Sequence, residues 1–123
     1  MRITLCQSGD YLRVGRLFMQ LGLIDSALVV FQKIGPGSPD YKTASVPLGR
    51  IFWQKGMTDL AVEKFNKAIG NEPVNKLNLE PYYYLALYHE LSGKADVARN
   101  IFNKILAEDY HYMDVSQRIS QSS

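Results

Sequence analysis

Two histidines come first, because an imidazole can serve as acid, base or metal ligand near neutral pH. His111 stands close in sequence to Asp109 and Asp114. One histidine with scattered carboxylates lacks the spacing of a metal site, and it reads as a surface residue of a turn. His89 falls on an apolar-periodic segment and reads as a partly buried spacer. Cys6 is the only cysteine, with no flanking base and no second thiol. It excludes an intrachain disulfide and suits a reducing compartment. Gly35-Pro36-Gly37 is a turn and not a phosphate loop, since no Gly-Lys-Ser/Thr follows. The tyrosines Tyr82, Tyr83, Tyr84 and Tyr88 read as core and surface lining. No convergent set of titratable groups emerges, so the expectation is a protein that is not an enzyme, with no catalytic residue, metal or cofactor.

The elements that would carry these residues repeat. Three stretches, ending at Ile34, Ala68 and Ile105, each contain Gly-x-x-Asp-x-Ala-x-x-x-Phe-x-Lys. The glycines are Gly22, Gly56 and Gly93, and the aspartates Asp25, Asp59 and Asp96. Ala27, Ala61 and Ala98 follow, then Phe31, Phe65 and Phe102, then Lys33, Lys67 and Lys104. The first step is 34 residues and the second 37, so three residues are inserted before the third unit. Each position has a mechanical reason. Glycine can take the left-handed conformation that ends a helix. Aspartate then falls at the cap or first turn of the next helix, beside free N–H groups and the positive dipole end. Lysine recurs near that helix's far end. Alanine and phenylalanine, four apart, share one face: the small residue admits a close neighbour and the ring fills the space beside it.

Upstream of each glycine an i, i+3, i+4, i+7 pattern marks a partner helix: Tyr11, Val14, Gly15, Phe18; then Ser45, Leu48, Gly49, Phe52; then Tyr82, Leu85, Ala86, His89. Pro39 and Pro73 stop the first two units. Helices are expected near 10–21, 24–34, 41–55, 58–69, 80–92 and 95–107, with a short seventh near 112–120. Pro47 falls inside the third, which either starts late, around Ser45, or kinks. The segment from Asn75 to Glu80 holds the insertion, and residues 1–8 and 120–123 look frayed.

Composition sets the bounds. The chain has 123 residues, 46% hydrophobic and 21% charged, with net charge +2. That fits one folded domain, 1–123, with repeats near 8–41, 42–75 and 79–112. Residues 41–79 carry six basic and three acidic groups, residues 80–123 four and six. The imbalance is too weak to name nucleic acid or a membrane as partner. No signal-like segment and no run of 18 apolar residues occurs. Cytoplasm is the default address, unless the chain is a fragment of a longer protein.

The pattern aromatic-x-x-Leu-Gly-x-x-Tyr, then Ala-x-x-x-Phe, then Pro on a 34-residue period resembles the tetratricopeptide repeat over residues 8–110. Ser45 replaces the usual aromatic, Ile34 and Ile105 stand where alanine is commonest, and the third unit lacks its closing proline. The resemblance implies an all-α fold, a right-handed superhelix of three antiparallel hairpins. The tail Tyr112-x-Asp114-Val115-x-x-Arg118 resembles the endings of bacterial arrays and implies a capping helix over the last hairpin. It also implies a concave groove. Its positions map to Leu12, Arg16, Met19 and Gln20 in the first unit. In the second they are Val46, Arg50, Trp53 and Gln54, and in the third Tyr83, Leu87, Glu90 and Leu91. Trp, Tyr, Met and Arg are residue types favoured at interface hot spots.

Members that clamp a C-terminal carboxylate use Lys and Asn, Asn, then Lys and Arg. The matching residues are Leu12, Arg16, Pro47, Glu80 and Tyr84, of which only Arg16 could serve, so that clamp is absent. The implied role is a scaffold that binds a protein or peptide segment with apolar anchors and an acid facing Arg16 and Arg50. A homo-oligomerising module is the alternative. RNA binding of the pentatricopeptide kind is a minor one, since that family favours a 35-residue period and a basic face.

Overall fold

A computed structural model describes residues 8–122. They form seven helices and, among the described residues, no strand: α1 (Ser8–Gln20), α2 (Ile24–Gln32), α3 (Tyr41–Gln54), α4 (Thr58–Ile69), α5 (Leu79–Leu91), α6 (Ala95–Glu108) and α7 (Val115–Ser122). Cys6 lies outside the described residues. The fold class is all-α, with neighbouring helices packed as hairpins: α1 on α2, α2 on α3, α5 on α6, α6 on α7.

The recurring glycine does the same thing three times. Gly22, Gly56 and Gly93 have φ of 76°, 80° and 81°. At the first, Gly22 N donates to Met19 O at 3.1 Å and Leu23 N reaches back to Phe18 O at 2.8 Å. Gly56 and Met57 repeat the pair onto Trp53 and Phe52, and Gly93 and Lys94 onto Glu90 and His89. This is the Schellman closure, in which two orphan carbonyls of the ending helix gain donors. Asp25, Asp59 and Asp96 all fall in the first turn of the following helix, where their charge meets the positive end of the dipole. Lys67 closes α4 as expected, and Lys33 is the C-cap of α2. Lys104 does not end α6, because that helix continues to Glu108.

The alanine and phenylalanine positions are the core. Ala27, Phe31, Ala61 and Phe65 are fully buried, and Ala98 and Phe102 nearly so. Gly15 explains the demand for a small residue on the first helix: a Cβ there would lie 2.5 Å from Phe31 Cε1. The Phe31 ring occupies the place that a side chain at residue 15 would take.

α3 starts at Tyr41 and runs through Pro47 without interruption, so the late start is not what occurs. Proline removes the N–H that would bond the Thr43 carbonyl. Nearby, Ser45 Oγ donates to Tyr41 O at 2.8 Å, the back-bonding that a buried hydroxyl finds inside a helix. At the other end, α7 reaches Ser122, beyond the expected onset of fraying at residue 120.

The contacts gather into two compact units, one up to Lys64 and one from Phe65. In the first, Leu12, Phe31, Ile34, Ala44, Leu48, Ile51 and Phe52 are buried. In the second, Leu79, Tyr83, Ala86, Ala98, Phe102, Ile105 and Val115 form one cluster. The three inserted residues lie in the 70–78 connection, which satisfies its own backbone. Asn75 Oδ1 accepts from Leu77 N at 2.8 Å, and Asn78 Oδ1 accepts from Asn75 N at 2.8 Å. Asn78 Nδ2 donates to Pro73 O at 2.9 Å, and Tyr82 OH to Glu72 O at 2.6 Å. Short polar side chains that copy backbone turns are what such a loop needs.

Candidate functional site

On α1, Arg16 and Gln20 are exposed and Met19 is half-buried, whereas Leu12 is 7% exposed and belongs to the core. On α3, Gln54 is exposed and Val46, Arg50 and Trp53 are half-buried. Arg50 and Trp53, three apart, share one face of α3; Arg16 stands three and four residues from Met19 and Gln20 on α1. The Schellman closures after Gln20 and Gln54 fix the last turns that carry these residues. The two helices also begin near each other, since a Cβ at Gly9 would stand 3.9 Å from Asp40 Oδ2, the N-cap residue of α3. Arg50 and Trp53 both have partners within the protein. Guanidinium groups beside an indole and a thioether can receive an apolar side chain and a carboxylate.

On α5 the same repeat positions have an internal occupation. Tyr83 is 7% exposed, and its hydroxyl donates to Asp114 Oδ1 at 2.5 Å. Arg118 Nε donates to the other oxygen of Asp114 at 2.9 Å, and its Nη1 to Glu90 Oε1 at 2.5 Å. Two residues of α5 are thereby tied to α7 and the residue before it through one guanidinium and one carboxylate. Val115, fully buried, inserts beside them. Burial, and then the bond to Asp114, push the Tyr83 hydroxyl up to about 12. For Asp114, burial opposes ionisation, but the Tyr83 hydroxyl and Arg118 outweigh it and hold the carboxyl below its usual range. Arg118 is raised for the mirror reason. Leu87 packs half-buried against this cluster, and Leu91 is exposed.

Aromatic packing fixes Tyr83 further. Its ring meets Tyr84 and Tyr112 edge-on, with centroids 5.8 Å away in both cases, and Phe102 at 6.1 Å. Tyr84 stacks on Phe65 at 4.6 Å and 5°. The tyrosine run is mainly packing. Sequence reading found α7 but not its polar anchorage, because Tyr83 and Asp114 are 31 residues apart and only the Asp114–Arg118 spacing hints at a pair.

His89 is half-buried, its ring edge-on to Tyr88 at 6.0 Å and its Nδ1 without a hydrogen bond. His111 is exposed, and its N–H donates to Asp109 Oδ1 at 3.0 Å in a turn. Among the described residues no group of three or more His, Cys, Asp or Glu stands together as metal ligands would. No helix there is long and apolar enough to cross a membrane.

The family model described as tetratricopeptide repeat matches residues 47–75, the later part of α3, all of α4 and the start of the following loop. No curated protein matches. The flanking hairpins, α1–α2 and α5–α6, repeat the positive-φ glycine, the buried alanine and the buried phenylalanine of the matched segment. The chain is a protein of helical hairpins that carries a tetratricopeptide repeat at residues 47–75.

Proposed function

We propose that this chain is a non-catalytic protein-interaction scaffold that seats a segment of another protein along α1 and α3. Tetratricopeptide repeats generally serve protein–protein interaction, and the match at 47–75 supports that class of role. One observation carries the finer reading: the only tryptophan, Trp53, is half-buried on α3 and not absorbed into the core, one turn from Arg50. A large indole left partly open on an ordered helix is the kind of anchor on which binding free energy concentrates. Arg16 and Gln20 on α1 extend the surface. The preferred ligand is an extended or helical segment with an apolar anchor for Trp53 and Met19 and an acid for Arg16 or Arg50.

The test compares partners retained by the native chain and by a Trp53→Ala, Arg50→Glu double variant, with circular dichroism to show that both are folded. Loss of a partner that the native chain holds is expected. A folded variant that keeps every partner refutes the surface. Trp53 also supplies its own signal, since its emission must shift when a ligand covers it.

A further inference from the structure

The three hairpins share one design, so a departure in one of them is informative. In α3, Leu48 and Ile51 are 3% and 0% exposed. The corresponding residues of α1, Val14 and Leu17, are 41% and 52% exposed, and Leu21 is 62% exposed. With Phe18 they make an apolar stripe at i, i+3, i+4 and i+7. The stripe borders a pocket of about 390 Å³ lined by Phe18, Asp25, Ser26, Val29 and Val30. Val29 is 56% exposed. At the equivalent place in the other repeats stand Glu63 and Asn100, both exposed and polar. An apolar residue at this point is therefore peculiar to the first hairpin, where it continues the α1 stripe across to α2.

The acid and base that flank Val29 recur as Asp59 and Lys67 and as Asp96 and Lys104, but only in α2 do they stand about an apolar centre. Asp25, Val29 and Lys33 lie at successive four-residue steps on one line of α2, and Lys33, the C-cap, keeps helical dihedrals (φ −73°, ψ −14°). An acid and a base placed symmetrically about an apolar centre are self-complementary when two such helices run antiparallel. We propose that this face is an interface between two copies of the chain, related by a twofold axis at Val29 that sets Asp25 of each copy against the partner's Lys33. Asp25 also accepts from Lys55 Nζ at 2.6 Å, but its side chain is 85% exposed and open to a second cation. The apolar stripe supplies the buried area and the two charge pairs set the register. The inference stands apart from the Trp53 surface and can fail without it.

The experiment is sedimentation velocity on the full chain from low micromolar to submillimolar concentration, with melting curves as a check on folding. The native chain is expected to dimerise. Val29→Glu, at an exposed position, keeps the fold and weakens the dimer about a hundredfold or more, by placing two carboxylates at the axis. Lys33→Glu and Asp25→Lys each weaken it about tenfold. The double variant Asp25→Lys, Lys33→Glu recovers affinity. Leu77→Glu, at a residue 97% exposed elsewhere, leaves the dimer unchanged. A native chain that stays monomeric throughout overturns the proposal. So does a dimer indifferent to Val29→Glu, a dimer broken by Leu77→Glu, or a double variant that remains as weak as the singles.

Discussion

Replacing Tyr83 with phenylalanine deletes one oxygen atom and keeps the ring that packs against Tyr84, Phe102 and Tyr112. What is lost is the 2.5 Å hydrogen bond to Asp114, the direct tie between the core of α5 and the start of α7. A hydrogen bond to a charged group contributes about 1.5–3 kcal/mol. Two features push the expected loss to the low end. Asp114 keeps Arg118 Nε at 2.9 Å, and its side chain is 40% exposed, so water can take the place of the phenol. A loss of about 1.5 kcal/mol corresponds to roughly a tenfold rise in the population with α7 undocked. Amide hydrogen exchange over Val115–Ser122 reads that population directly, and urea unfolding gives the global value. A double-mutant cycle with Asp114→Ala isolates the pair, with an expected coupling near 1 kcal/mol. Unchanged exchange in α7, or a coupling below about 0.5 kcal/mol, refutes the view that this bond anchors the helix.

The same network predicts a pH dependence at both ends. Tyr83, raised from 10.0 to about 12 on folding, contributes stability that is intact below pH 10 and is lost as pH climbs through 12, a loss that Tyr83→Phe abolishes. Asp114, held below its ordinary 3.8, contributes stability that is present above that pH and disappears as acid protonates it, which exchange in α7 should report first. Gly15→Ala forces a methyl to within 2.5 Å of the fully buried Phe31 ring and is expected to cost about 1–3 kcal/mol in thermal or urea unfolding; a neutral result means the ring can retreat. Pro47→Ala restores a donor inside α3 and should raise the melting temperature, by up to about 3 kcal/mol in stability. A lower melting temperature would show that the pyrrolidine ring packs better than the restored bond is worth.

Much of this architecture is written in single residues. Glycine before aspartate located every hairpin turn, because only a left-handed residue lets a helix end in a Schellman closure and because its place does not depend on distant packing. Helix limits followed to within about two residues, apart from the start of α7, three residues later than expected. What escaped was non-local. Nothing in the spacing of Tyr83, Glu90, Asp114 and Arg118 announces that they meet, since the meeting depends on where the chain puts α7 after Met113 turns at φ 45°. Leu12 shows the same limit on the candidate surface: its place in the pattern matches Arg16, yet packing draws it into the core while leaving the cation outside.

The three Schellman closures have a consequence in time. Each turn is sealed by bonds between residues no more than five apart, and the ring of Phe31 finds Gly15 only sixteen residues back. Contacts so near in sequence cost little loop entropy, and contacts of this kind favour rapid closure of each hairpin. The first hairpin has the partners of its own glycine turn and of the Phe31 ring as soon as residue 34 has been made, and α3 then packs on α2. Synthesis from the N-terminus therefore matches the order in which this structure can close. Of the described helices α7 is made after the others, and it is also the one that needs Tyr83 and Glu90 already in position to receive it.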